Sequence, residues 1–237
     1  MKYFNWLIFV FLGIIISSVN ACQEHTTRKI TFEDIKDSSN RAIPTKIEEN
    51  IIFYNTENQV ISTEKFNQLL AEGLYLSEQK LNVDGSEEVH LISIKEYAQK
   101  LERQSIPDFE IVDLMGNIYT KENLLGKITV LSFWFTSSHL CTKDIQDLSP
   151  IAQKYTNNKN FLWLAPALDK SADLSRFLRG KNWKFSFAAN QEHLSSQLGI
   201  LTFPTHLIIN KKGKIHKAVT RHPNSHEIID KAIQQLL

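Results

Sequence analysis

The chain has 237 residues, 42% of them hydrophobic and 22% charged, enough to bury one ordinary domain core with room for a smaller unit beside it. Its 27 basic residues nearly balance its 26 acidic ones, which gives no general electrostatic reason for a nucleic-acid partner. Positives gather at Lys211, Lys212, Lys214, Lys217 and Arg221, but acids return at Glu227 and Asp230 and no aromatic platform is interleaved, so this reads as a solvated hairpin.

At the N-terminus, Lys2 precedes an apolar run from Tyr3 to Ile16, broken only by Asn5 and Gly13, and then Ser17-Ser18-Val19-Asn20-Ala21-Cys22. A charged start, a short apolar core and small residues before a cleavage point predict a secretory signal over residues 1–21, too short and wrongly flanked for a membrane-spanning helix. The Val19-Asn20-Ala21-Cys22 ending resembles a bacterial lipobox, which implies that Cys22 becomes the lipidated first residue of the mature chain, anchored to a membrane and facing the periplasm or exterior. An ordinary signal peptide with Cys22 incidental is the alternative. If Cys22 carries lipid, Cys141 has no intramolecular disulfide partner.

Residues 22–49 are polar and without sustained periodicity, as expected of a tether. Residues 50–103 predict a small α+β unit. Ile51 to Tyr54 is strand-like, and Ser62 caps a helix over Glu64 to Glu72 with Phe66, Leu69 and Leu70 at helical spacing. Leu74 to Leu81 and Val89 to Ile94 flank the turn signal Asn82-Val83-Asp84-Gly85, and Ile94 to Arg103 reads as a closing helix or a connector. His90, alternating with apolar residues, is expected on the strand surface.

Residues 104–237 form the main unit. Phe109 to Val112 and Ile118-Tyr119, joined by a Met115-Gly116-Asn117 turn, lead to the stretch Lys127 to Asp144. Its run Ile128 to Phe135 is nearly continuous in apolarity and suits a central strand covered on both faces. Thr136-Ser137-Ser138 then supplies N-cap chemistry for a helix from about Ser138 to Tyr155, with Cys141 in its first turn, where a helix N-terminus can stabilise a thiolate. Further strands are expected at Phe161 to Ala165, Phe185 to Ala188, His206 to Ile209 and Lys214 to Val219, with helices at Ala172 to Arg179, Gln191 to Leu198 and from Ser225. Strands alternating with helices, closed by a turn-linked pair, predict an α/β domain with a mixed sheet.

In order and spacing, residues 106–237 resemble the membrane-anchored bacterial thioredoxins of the TlpA/ResA type, related to the AhpC/TSA peroxiredoxins. The resemblance is carried by Ile106-Pro107-Asp108-Phe109, Leu124-Leu125-Gly126-Lys127, Phe133-Trp134-Phe135-Thr136 and Gly199-Ile200 with Phe203-Pro204-Thr205. It implies a thioredoxin-like fold, a cis-proline loop at Pro204, and a groove in which Trp134, His139, Phe203, Pro204 and Thr205 contact substrate. It also places Ser138 where the family has its attacking cysteine, so Cys-x-x-Cys has become Ser138-His139-Leu140-Cys141.

A disulfide reductase needs a low-pKa thiolate to attack and a second thiol to resolve the mixed disulfide, and a serine hydroxyl forms no exchangeable bond to sulfur. Ordinary dithiol exchange is therefore not expected. Three readings stand: a single working thiol at Cys141 assisted by Ser138, as in peroxiredoxins, with Arg176, Arg179 and Arg221 as candidate arginines by type alone; a non-catalytic module whose groove binds an envelope protein or extended peptide; or a mixed-disulfide role for Cys141. His139, His206 and Cys141 invite a metal, but no ligand spacing repeats a known site, and neither metal nor cofactor is expected.

Overall fold

The computed structural model of the chain describes residues 51–237; the predicted signal peptide, Cys22 and the whole tether lie outside the described residues. The first unit runs β1 (Ile51–Tyr54), β2 (Val60–Ile61), α1 (Thr63–Ala71), β3 (Tyr75–Leu81), β4 (Glu87–Ser93) and α2 (Ile94–Glu102). Its four strands lie in the order β2-β1-β4-β3, with β1 parallel to β4 and the other pairs antiparallel. Side chains on a strand alternate between faces, so β4 sends Val89 and Leu91 to Phe66 of α1 and Ile92 to the other side. There Leu76, Ile92, Tyr97 and Leu101 join the main apolar core, so the small unit shares that core instead of closing on its own.

Ser62 and Ser93 cap their helices through Oγ, accepting from the Lys65 and Glu96 amides. The segment from Ile94, open in the sequence between helix and connector, is helical because this cap precedes a stripe that buries Tyr97 and Leu101.

The second unit begins with the hairpin β5 (Glu110–Val112) and β6 (Ile118–Thr120), followed by α3 (Lys121–Leu124) and β7 (Ile128–Phe133). Then follow α4 (His139–Tyr155), β8 (Phe161–Pro166), α5 (Ser171–Leu178), β9 (Ser186–Ala188), α6 (Glu192–Gln197), β10 (Thr205–Ile209), β11 (Ile215–Thr220) and α7 (Ser225–Gln234). The five-stranded sheet has the order β11-β10-β7-β8-β9, parallel across β7-β8-β9 and antiparallel across β7-β10-β11.

The central strand β7 is buried at every position. Leu131 and Phe133 face one core with Cys141 and Ile145, while Val130 faces the other with Leu148, Ile229 and Ile233. β7 ends two residues earlier than its apolar run predicts, because Trp134 leaves the ladder for an isolated bridge with Ala167 and the chain then turns toward Asp169.

An exposed sheet edge would leave backbone groups unpaired, and here the small unit covers it. Glu102 at the end of α2 accepts the Ala218 amide of β11 at 3.2 Å and pairs with Lys217 Nζ at 2.7 Å. Next to it, Ile215 N–H donates to Gln104 O (3.1 Å) and Ile106 N–H to Gly213 O (3.0 Å). Gly213 has φ +76°, a backbone conformation that strains other side chains, and a Cβ there would also press on Leu125 Cδ2 at 3.3 Å.

Candidate functional site

The site forms where β7 leaves the sheet, α4 begins, and the loop before β10 returns beside them. Ser138 is the N-cap of α4, with extended φ/ψ of −93° and 116°, and its Oγ accepts the Cys141 amide at 3.3 Å. The residue in the attacking position thus completes a helix start, a contact worth ~1 kcal/mol. His139 and Leu140, the first two helical residues, are exposed.

Cys141 is a free thiol with 0% exposure. Burial pushes it up to about 11, because the apolar surroundings penalise the thiolate. Hydrogen bonds from Ser138 and the Phe135 backbone act the other way, and the carboxylates of Asp144 and Asp169 reinforce the rise. A helix N-terminus favours a thiolate, but here dehydration and two nearby negative charges outweigh it. Arg176 is spent on Asp173 at 2.8 Å, and the charged groups acting on the sulfur are these carboxylates.

No local sequence signal marks either acid as part of the site. Asp169 is 2% exposed and fastens the turn: its Oδ2 accepts the Thr136 amide at 2.8 Å and its Oδ1 accepts the Thr136 hydroxyl at 2.6 Å. Asp144, one helical turn after Cys141, is 9% exposed and lies 2.7 Å from His206 Nε2, while Ser225 Oγ donates to its other oxygen. The Asp144 Oδ2–His206 Nε2 contact is close but out of hydrogen-bond alignment, and neither atom has a hydrogen-bond partner among the described residues. Burial raises the Asp144 pKa, but the His206 ring and the Ser225 hydroxyl prevail and hold it below the ordinary carboxylate value. His206 Nδ1 faces Ser132 Oγ at 2.9 Å, and the Trp163 indole donates to the same oxygen at 2.8 Å.

This placement separates the three residues that invite a metal and corrects one expectation, the groove contact of Trp134. His206 does not gather with His139 and Cys141, because it is 0% exposed and alternation along β10 turns it away from the core that holds Leu207 and Cys141. Trp134 does not line a groove: it is 0% exposed, its indole donates to Ala165 O at 3.4 Å, and Phe177, Trp183 and Phe187 surround its rings. It supports the turn from beneath.

The Phe203–Pro204 peptide is cis. Phe203 packs edge-on against Phe135 with centroids 5.7 Å apart, which brings the loop against the turn. Thr205 is fully buried, its hydroxyl donating to Thr202 O at 2.8 Å. With Phe203, Pro204 and Thr205 all buried, what these two segments present to solvent includes Ser137, His139, Leu140 (47% exposed) and Leu201 (41%).

Residues 103–218 match the AhpC/TSA family model. This part of the chain has the thioredoxin-like fold and is similar to redoxins of the AhpC/TSA family. The redoxin domain is similar to the thiol-disulfide oxidoreductase ResA of Bacillus cereus, 25% identical over 124 residues that cover 50% of this chain and 72% of the relative. Among solved structures it is similar to a Bacteroides vulgatus protein assigned as a thiol-disulfide oxidoreductase, with TM-score 0.51 and 25% identity over 59% of this chain and 100% of the other. A Chlorobium tepidum protein assigned as the thiol:disulfide interchange protein DsbE shares the fold, with TM-score 0.52 and 22% identity over 57% of this chain and 96% of the other.

Proposed function

We propose that this protein is an exported, lipid-anchored redoxin that binds an extended polypeptide of an envelope partner beside the cis-proline loop, in place of ordinary dithiol exchange. The N-terminal signal pattern and Cys22 support the export and the anchor. The observation that carries the binding reading is the state of the two motif positions. Ser138 Oγ is committed to the Cys141 amide, and Cys141 is fully buried with its thiol pushed up to about 11. At neutral pH such a thiol is roughly one part in ten thousand thiolate, against a few parts per hundred for a free cysteine.

The test uses the full chain in two assays. Reduction of insulin disulfides by dithiothreitol should run no faster with the protein than without it, and saturable binding of carboxymethylated α-lactalbumin should be lost when Leu140 and Leu201 both become Asp. Insulin turnover abolished by Cys141→Ser overturns the proposal. A second reading, a single redox thiol at Cys141, draws support from the Ser138 and Phe135 hydrogen bonds that act to stabilise its thiolate. Oxidation of Cys141 by hydrogen peroxide faster than that of a free cysteine selects it.

A further inference from the structure

The cis-proline loop is held by a residue of the small upstream unit. Tyr97 of α2 donates its hydroxyl proton to Gly199 O and accepts the Leu201 amide, both at 2.9 Å. Only 3% of this tyrosine is exposed, and burial raises its pKa well above the ordinary phenol value, so the hydroxyl stays protonated and able to donate at any physiological pH. The other amides of this segment are satisfied within α6: Gly199 N–H by Ser196 O (3.0 Å) and Ile200 N–H by Ser195 O (2.9 Å). Leu201 N–H relies on Tyr97. Two residues later, Phe203 packs on Phe135, whose backbone hydrogen-bonds to Cys141. Through these contacts and the short backbone between Leu201 and Phe203, Tyr97 is linked by way of Phe203 and Phe135 to Cys141.

We propose that Tyr97 is a positioning residue through which the upstream unit clamps the cis-proline loop over Cys141, so that the access of reagents to the thiol and the shape of the groove are set by α2. The groove half of this statement rests on the binding function proposed above; the thiol half does not. The geometry favours a clamp over simple packing, because one hydroxyl closes both an acceptor and a donor of the loop, and Leu201 N–H has no other hydrogen-bond partner among the described residues. Coupling is reciprocal. A partner that moves residues 199–201 pulls on α2, and one that displaces α2 frees the loop.

The experiment compares the full chain with Tyr97→Phe, which keeps the ring and removes both hydrogen bonds. Amide exchange at Leu201 should accelerate at least tenfold while the β7 and β10 amides are unchanged, and alkylation of Cys141 by iodoacetamide at neutral pH should accelerate several-fold. Ile233→Val, in the opposite core, supplies the control, since it weakens the fold without touching the loop. It should leave the Leu201 exchange rate, relative to β10, as in the parent. Unchanged exchange and alkylation in Tyr97→Phe overturn the clamp, and so does acceleration that is uniform across the domain or equalled by Ile233→Val. If Tyr97→Phe does not fold, the parent protein decides: a Leu201 amide protected like a strand amide supports the clamp, and a rapidly exchanging one overturns it. No ligand enters these readouts, so the clamp can fail while peptide binding stands, and the reverse.

Discussion

The burial of Cys141 makes the fold sensitive to alkali in a way that one substitution should remove. Its thiol rises from an ordinary 9.0 to about 11 on folding. A group whose folded pKa is raised contributes stability that is complete below its unfolded pKa and disappears as pH climbs through the folded value. The unfolded chain therefore releases this proton from about pH 9, while the folded chain retains it to about 11. Two pKa units correspond to about 2.7 kcal/mol, of which about 2 kcal/mol is lost by pH 10.5. Because the side chain is 0% exposed, solvent screening does not reduce this figure.

Lysines and tyrosines also titrate at alkaline pH, so the informative quantity is a difference. Urea unfolding of the full chain and of Cys141→Ala is followed by tryptophan fluorescence at pH 7.5 and 10.5. The variant loses a pH-independent ~1 kcal/mol to its small cavity. The parent should fall by about 2 kcal/mol more than the variant between the two pH values. Parallel losses, or a larger loss in Cys141→Ala, would refute the claim that the fold holds this thiol neutral.

Acid should act through a different group. Asp144 is held below the ordinary carboxylate value by His206 and Ser225, so its contribution is present above about pH 4 and lost as pH falls through the depressed folded value. Asp144→Asn should flatten the acid limb of the stability profile in calorimetry; an unchanged limb would remove Asp144 from the account. Ser138→Ala should cost ~1 kcal/mol in urea unfolding through loss of the cap, and a neutral result would mean that the hydroxyl is not capping. Ser138→Cys restores two thiols at motif spacing and should produce measurable insulin reduction. Absence of turnover would place the block in the buried carboxylates as well as at position 138. Asp169→Asn keeps the shape and removes one negative charge near the sulfur, so alkylation of Cys141 should be faster than in the parent at the same pH.

Much of this molecule was legible in short stretches of sequence. The apolar run from Ile128, the Asn82-Val83-Asp84-Gly85 turn, Ser62 and Ser138 as caps, and Phe203-Pro204-Thr205 each carry their structural instruction in neighbouring residues, because propensity, capping and turn chemistry act over a few bonds. Ser138-His139-Leu140-Cys141 likewise places a serine, not a thiol, three residues before Cys141 in the sequence alone. The chemical state of Cys141 could not be read that way. It depends on Asp169, brought to the turn from the far end of β8, on Asp144, whose partner His206 is chosen by strand register, and on dehydration by a core assembled from the whole domain.

Trp134 and His206 show the same limit, since side-chain direction after a strand leaves its ladder, and the face a strand residue occupies, are settled by pairing. The clamp from Tyr97 to residues 199–201 is decided entirely by tertiary packing, because α2 becomes part of the site only once it has docked along the edge strand β11. The sequence by itself determined the fold and the Ser-x-x-Cys spacing at the start of α4, both encoded by local chemistry. Tertiary structure decided the ionisation of the remaining thiol and what covers it, because electrostatics and burial depend on distances in space.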